Sequence, residues 1–353
     1  MDTPDRSRRS MLKAAAWLTG AALSFTVWPH RLAAGSRPPF PVRETGLITG
    51  HSLQTYSDNL RAGGVGRDGI PSIDRPRYRS AADADGFLQD DDIVFGMLEG
   101  GIPRAYPQRI MVRHEVVNET VEGQGIAITY CPLVGDVMIF ERGDTEFGVS
   151  GWVVNSNLVL YDRDTDTCFP QILATGVRGP HTGRALIERP IVWTTWRRWR
   201  AAYPETVCLS TDTDTPRNYF EDPYGNYNPL AGYYAPDTPP MFAPLHTDGR
   251  FPAKRMFLGA RTADSAVAID MDALRGERRI EIETAHETFT AVYDAALDTG
   301  YIFRGRTSAT AVTVRERLPR VTWDAGPALE PCNAFQAMWF AWVAYYPDIV
   351  VYA

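Results

Sequence analysis

Cysteine is scarce and widely spaced, with Cys131, Cys168, Cys208 and Cys332 the four in 353 residues. None of the gaps is the short C-x-x-C of a zinc or thioredoxin-like site, and four thiols in so long a chain are too few for a disulfide scaffold. A hydrophobic core must therefore carry the stability. In an oxidising compartment an even number of thiols allows disulfides, and their spacing leaves the pairing open. Beyond Trp28 no stretch is long and apolar enough to span a bilayer, so no permanent span is expected there. Strong charge of one sign is also missing. The formal net charge is −7, and basic residues are scattered except at Arg197-Arg198-Trp199-Arg200, which predicts no nucleic-acid partner.

What is present begins with an export pattern. Arg8 and Arg9, followed by Met11-Leu12-Lys13, stand just ahead of an apolar run from Ala14 to Trp28 and the small residues Ala33-Ala34-Gly35. This order resembles a twin-arginine signal peptide over residues 1–35. It predicts the twin-arginine export machinery as a partner and a periplasmic or otherwise exported protein. An apolar run of about fifteen residues falls short of the roughly twenty of a spanning helix, which favours cleavage. Leu32 fits poorly at the outer small position, so a membrane-anchored form with an uncleaved signal stays open. Twin-arginine cargo often carries a cofactor, but the signal names none.

Residues 36–69, rich in Gly, Pro and Arg, read as an extended arm. Behind it the chain resembles itself. Residues 105–140 match 268–303 at a constant offset of 163, which also sets Gly96 on Gly259. Trp196, Trp199 and Tyr203 match Trp339, Trp342 and Tyr346 at an offset of 143, each set on one helical face that proline then stops. The faces read as core packing. The predicted fold is α+β and β-rich, with two tandem related repeats. Each has several mostly antiparallel strands, an aromatic-faced helix near its end and a closing strand. The first repeat covers 70–210, a Pro/Tyr/Gly-rich linker 211–255, and a second, shorter repeat 256–353.

Differences between the copies point to chemistry in the first. His114-Glu115 stands where the second has Glu277-Arg278, and Cys131-Pro132 where it has Asp294-Ala295. His114, on a helix expected over 108–117, is a candidate acid/base or ligand, or a satisfied structural imidazole. Neighbours on a helix point about 100° apart, so Glu115 should not share its site. Cys131, at a strand end, is a candidate nucleophile or ligand, or a buried thiol. Ser150, Asn155, Asn157, Asp162, Arg163 and Gln171 are the candidate polar lining of a ligand site. The two asparagines share a face if they flank a strand position, and cap a turn otherwise. Asp162, Asp164 and Asp166 lack the Gly and terminal Glu of an EF-hand, so a polar hairpin loop is expected.

Several ordered motifs carry a further resemblance: Ala105-Tyr106-Pro107, His114-Glu115-Val116-Val117-Asn118, Thr129-Tyr130-Cys131-Pro132-Leu133, Phe147-Gly148-Val149-Ser150-Gly151, Asn155-Ser156-Asn157-Leu158, Tyr161-Asp162-Arg163 and Thr194-Thr195-Trp196. Together they resemble the bacterial domain-of-unknown-function family 3179 from about residue 70 to the end. The resemblance implies no established activity. Family members commonly have a second Cys where this chain has Val134, and Trp-Ser-Gln where it has Phe169-Pro170-Gln171. A C-x-x-C site on Cys131 is thereby put in doubt. Three functions compete: an exported protein binding a small polar ligand or metal at the first repeat, a periplasmic enzyme using His114 and Cys131, and an envelope scaffold.

Overall fold

The computed structural model describes residues 37–98, 100–307 and 329–353, so the expected signal peptide over 1–35 lies outside the described residues. These residues form a β-rich fold of several mostly antiparallel sheets with few, short helices. Among them no helix is long and apolar enough to cross a membrane.

The first sheet is built on Ile93–Met97 and Arg104–Pro107, antiparallel with Phe95 opposite Tyr106. Val192–Thr195 joins the outer side of Ile93–Met97, and Val207–Leu209 lies parallel beside Arg104–Pro107, with Cys208 level with Ala105. A parallel pair cannot be joined by a tight hairpin. Here the rest of the unit intervenes, ending in the helix Trp196–Ala202.

Pro107 leads into the helix Gln108–His114, which is shorter than the expected 108–117. Glu115 takes a φ of 59° and its N–H bonds back to the Met111 carbonyl, a left-handed cap that ends the helix. The β-branched Val116 and Val117 then open a strand. Val116–Val121, Gln124–Cys131 and Asp136–Glu141 form a meander. Phe147–Val154, Asn157–Asp162 and Cys168–Pro170 form another, whose free edge Arg61–Ala62 covers. The amino-terminal arm is thus not wholly extended. Its helix Leu53–Asp58 is capped by the Ser52 hydroxyl, which accepts from the Thr55 N–H at 3.0 Å, and it buries Tyr56.

The element bounds recur. Adding 163 to Gln108–His114 gives Met271–Glu277, a helix that also ends in a left-handed residue, Arg278 at φ 69°. Adding 143 to Trp196–Ala202 and Val207–Leu209 gives the helix Trp339–Tyr345 and the strand Val350–Tyr352. Gly96 and Gly259 hold the same contact in each region. A Cβ on Gly96 would lie 2.1 Å from the Trp199 ring, and one on Gly259 2.4 Å from Trp342. Trp196, Trp199, Trp339 and Trp342 are all buried, which makes their faces core as the spacing predicts. One hydrophobic cluster runs from Phe147 and Phe169 through to Phe257, Trp339 and Trp342, so the two regions share a core.

Residues 211–255 hold one short hairpin, Gly225–Tyr227 with Leu230–Gly232, and pack Tyr219, Tyr224, Tyr227, Tyr233 and Tyr234 onto the first region. All four cysteines are free thiols, Cys131, Cys168 and Cys208 buried and Cys332 half-buried.

Candidate functional site

Most of the residues expected to line a ligand site are consumed by the fold. The Ser150 hydroxyl donates to the Val159 carbonyl at 2.5 Å and accepts from the Trp152 N–H at 3.1 Å. Asn155 sits in the turn after Val154 with φ 55°, where its amide oxygen accepts from the Leu245 N–H and its nitrogen donates to the Ala344 carbonyl. Asn157, fully buried, accepts from the Ile172 N–H at 2.9 Å and donates to Gln171 at 3.2 Å. Gln171 in turn donates to the Thr129 hydroxyl at 2.9 Å and the Thr129 carbonyl at 3.1 Å. Asp162 closes its hairpin by accepting from the Thr165 and Thr167 N–H groups and the Thr165 hydroxyl. The turn chemistry of Asn and Asp explains these placements: short polar side chains satisfy nearby backbone before they can face a ligand.

No hydrogen bond links His114 to Cys131. The His114 imidazole is bonded through Nδ1 to the Pro71 carbonyl at 2.8 Å and through Nε2 to the Tyr219 hydroxyl at 2.7 Å. Burial lowers its pKa, against the Pro71 bond, and favours the neutral ring. Cys131 lies in a different hydrophobic cluster from Tyr219, with its sulfur accepting from the Leu158 N–H at 3.3 Å. Burial, and then the Asp136 and Glu115 carboxyls, push its thiol well above the ordinary range, the reverse of an activated nucleophile.

Beside the first region Asn155 lines a cleft of about 550 Å³ together with Arg61 and Phe242. Two further clefts open there. One, of about 470 Å³, receives His114 and Arg163 together with Asp68, Asp74, Glu146 and Asp214. Its charges are largely paired within the fold, although Asp68 Oδ1 is buried without a hydrogen bond. Arg163 pairs with Asp74 at 2.8 Å and with Glu146, and donates to Ser72. Asp214 pairs with Arg75 and Arg77. Burial raises Asp74, but hydrogen bonds from Arg163, Asn118 and Ser72 outweigh it and hold the carboxyl below its ordinary range. This cleft is a lattice of ion pairs that ties the chain around Ser72 to the hairpin at Arg163.

The other cleft, of about 460 Å³, lies where residues 220–228 cross the start of the helix Gln108–His114. Its size is that of small-molecule sites. Gln108, 7 % exposed, donates through Nε2 to the Asp222 carboxylate at 2.7 Å and to the Tyr130 hydroxyl at 3.1 Å. Since a carboxylate only accepts, the nitrogen must face Asp222, and the amide oxygen is the atom left over. That oxygen accepts nothing from the described residues and is not among the buried atoms sealed from solvent. Asp222 also accepts from the Tyr234 hydroxyl at 2.9 Å and the Tyr224 N–H at 2.8 Å. Burial raises its pKa despite these bonds. Tyr227, stacked on Tyr234 with centroids 4.0 Å apart, and the exposed ring of Phe220 supply apolar wall.

Sequence reasoning missed this set. Gln108 begins a helix and Asp222 sits in the Tyr-rich segment, so neither lies in a recognisable motif. The usable signal was the contrast at the 163-residue offset, which sets Met271 against Gln108. Also missed were Asp136, fully buried with neither oxygen hydrogen-bonded, and Lys254, 3 % exposed with Nζ donating to the Tyr233 carbonyl at 2.6 Å. Among the described residues no group of three or more His, Cys, Asp or Glu is disposed to hold a metal ion.

Searches of curated proteins and of solved structures find no match to the chain. A family model of proteins of unknown function matches residues 67–349, the span that holds the Gln108 and Arg163 clefts, and the chain belongs to that family, DUF3179.

Proposed function

We propose that this is an exported protein that binds a small polar ligand beside its first unit, in the cleft of Gln108, Asp222 and Tyr227. The observation that carries the reading is the unpartnered amide oxygen of Gln108, whose nitrogen is fixed by the part-buried bond to Asp222 beside a cleft of ligand size. The absence of a metal-disposed cluster among the described residues favours an organic ligand over a metal ion. The separate surroundings of His114 and Cys131 weigh against a reaction that uses both.

Export rests on Arg8-Arg9 ahead of the apolar run, with the twin-arginine machinery as the partner. The two units are, in this reading, tandem copies of which the first kept the polar set. The shared bounds at offsets of 163 and 143 and the paired Gly–Trp contacts support it.

Native mass spectrometry of protein exported through its own signal, for the wild type and Gln108→Leu, tests the binding reading. A stoichiometric adduct present in the first and absent in the second is expected. No adduct, together with no thermal shift across a metabolite panel, would overturn it. Arg8→Lys/Arg9→Lys should hold the chain in the cytoplasm.

A further inference from the structure

We infer that the occupant of the Gln108–Asp222 cleft is an organic cation bearing a primary ammonium or a guanidinium group, an inference that rests on this cleft being the binding site. Three observations on different elements converge.

The first is charge. Asp91, Asp92, Glu221 and Asp222 line the cleft, and Arg109 is the one cation among its lining residues, with Arg197 3.8 Å from Asp91 and Arg113 acting on Asp222 from outside it. Arg109 is already engaged, by Asp92 and by the Phe87 carbonyl at 3.3 Å. It is not free to receive an anion. The second is hydrogen-bond polarity. The Gln108 oxygen is an acceptor without a partner, and beside it the Asp222 carboxylate keeps lone-pair capacity beyond its three donors. An occupant that brings hydrogen-bond donors satisfies both. The third is the ring of Phe220, 83 % exposed at the rim, where an aromatic face attracts a cation and covers its hydrocarbon part. Burial also leaves the Asp222 carboxylate under-stabilised, which a cation alongside would relieve. A carboxylate or phosphate would meet four carboxylates among the lining residues.

The test uses mature protein and four probes: agmatine and putrescine as cations, citrate as anion and glucose as neutral ligand. Calorimetry and thermal shift are run on the wild type, on Asp222→Asn, on the rim variant Asp91→Asn/Glu221→Gln, and on Asp214→Asn in the other cleft as control. Agmatine or putrescine should bind and raise the melting temperature. Affinity should fall at least tenfold in Asp222→Asn, fall less in the rim variant, and be unchanged in Asp214→Asn. Should Asp222→Asn fail to fold, the rim variant decides. Failure of both cations to bind the wild type overturns the inference. Citrate or glucose binding that depends on Asp222 overturns the cation class and leaves the cleft as the site. Cation binding that is equal in all variants removes the cleft itself.

Discussion

Glu115 follows His114 directly, yet the two side chains serve different interiors. The His114 ring spans from the Pro71 carbonyl to the Tyr219 hydroxyl, while Glu115, turned by its left-handed backbone, is buried where its charge acts on Cys131 and Tyr224. One corner of backbone thus separates a neutral imidazole from a neutral carboxyl, and both have consequences for pH.

Burial pushes Glu115 up to about 8 from an ordinary 4.5. The folded state then holds a proton that the unfolded state releases, so this group's contribution is full below about 4.5 and is lost as pH rises through about 8. Glu115→Gln should flatten that fall, gaining a few kcal/mol over the wild type at pH 8–9 relative to pH 4–5, in order of magnitude. Urea melts at both pH values measure it. An unchanged pH slope would show that Glu115 ionises freely in the folded protein.

Lys254 acts in the opposite sense. Burial, with a backbone carbonyl and the Tyr233 ring as its partners, brings it down to about 7 from 10.5. Its cost is full below about pH 7 and disappears as pH rises toward 10.5. Lys254→Met should therefore stabilise the protein at pH 6 and have little effect near pH 10. Greater loss at pH 6 than at pH 10 would contradict a desolvated ammonium.

Gly96→Ala and Gly259→Ala should each destabilise by about 1–3 kcal/mol or more, because the added methyl meets an indole ring that the core holds in place. The Trp199→Leu background should reduce the loss for Gly96→Ala and leave that for Gly259→Ala unchanged. Equilibrium unfolding of the single and double variants gives the coupling.

Arg163→Ala should cost about 1–3 kcal/mol, since it leaves Asp74, Glu146 and Asp68 facing one another without their shared cation. Because Arg163 lines the matched cleft and not the open one, ligand uptake by folded protein should not change. A loss of uptake at full folding would move the binding site to the Arg163 side.

Packing was legible in the sequence where a pattern repeats. The Trp-Trp faces, the glycine pair and the strand runs each recur at a fixed offset, and burial follows from their periodicity. The site was less legible, because its parts come from distant segments: residues 108 and 222 meet only after the chain has doubled back. Asn155, Asn157 and Gln171 look like ligand-binding residues in one dimension, and in three their hydrogen bonds go to one another and to segments distant in sequence, among them Thr129, Leu245 and Ala344. The stop at His114 depends on a left-handed Glu115, which neither propensity nor a proline announces.

The contact of Tyr227 with Trp193 gives the open cleft an optical reporter of its own. Tyr227 lines the cleft and lies edge-on to the Trp193 indole, with centroids 5.2 Å apart, while Trp196, Trp199, Trp339 and Trp342 are sealed in the core. An occupant that displaces Tyr227 alters the surroundings of one half-buried indole and leaves those four unchanged. Occupancy is then readable as a change in intrinsic emission, without label or dye.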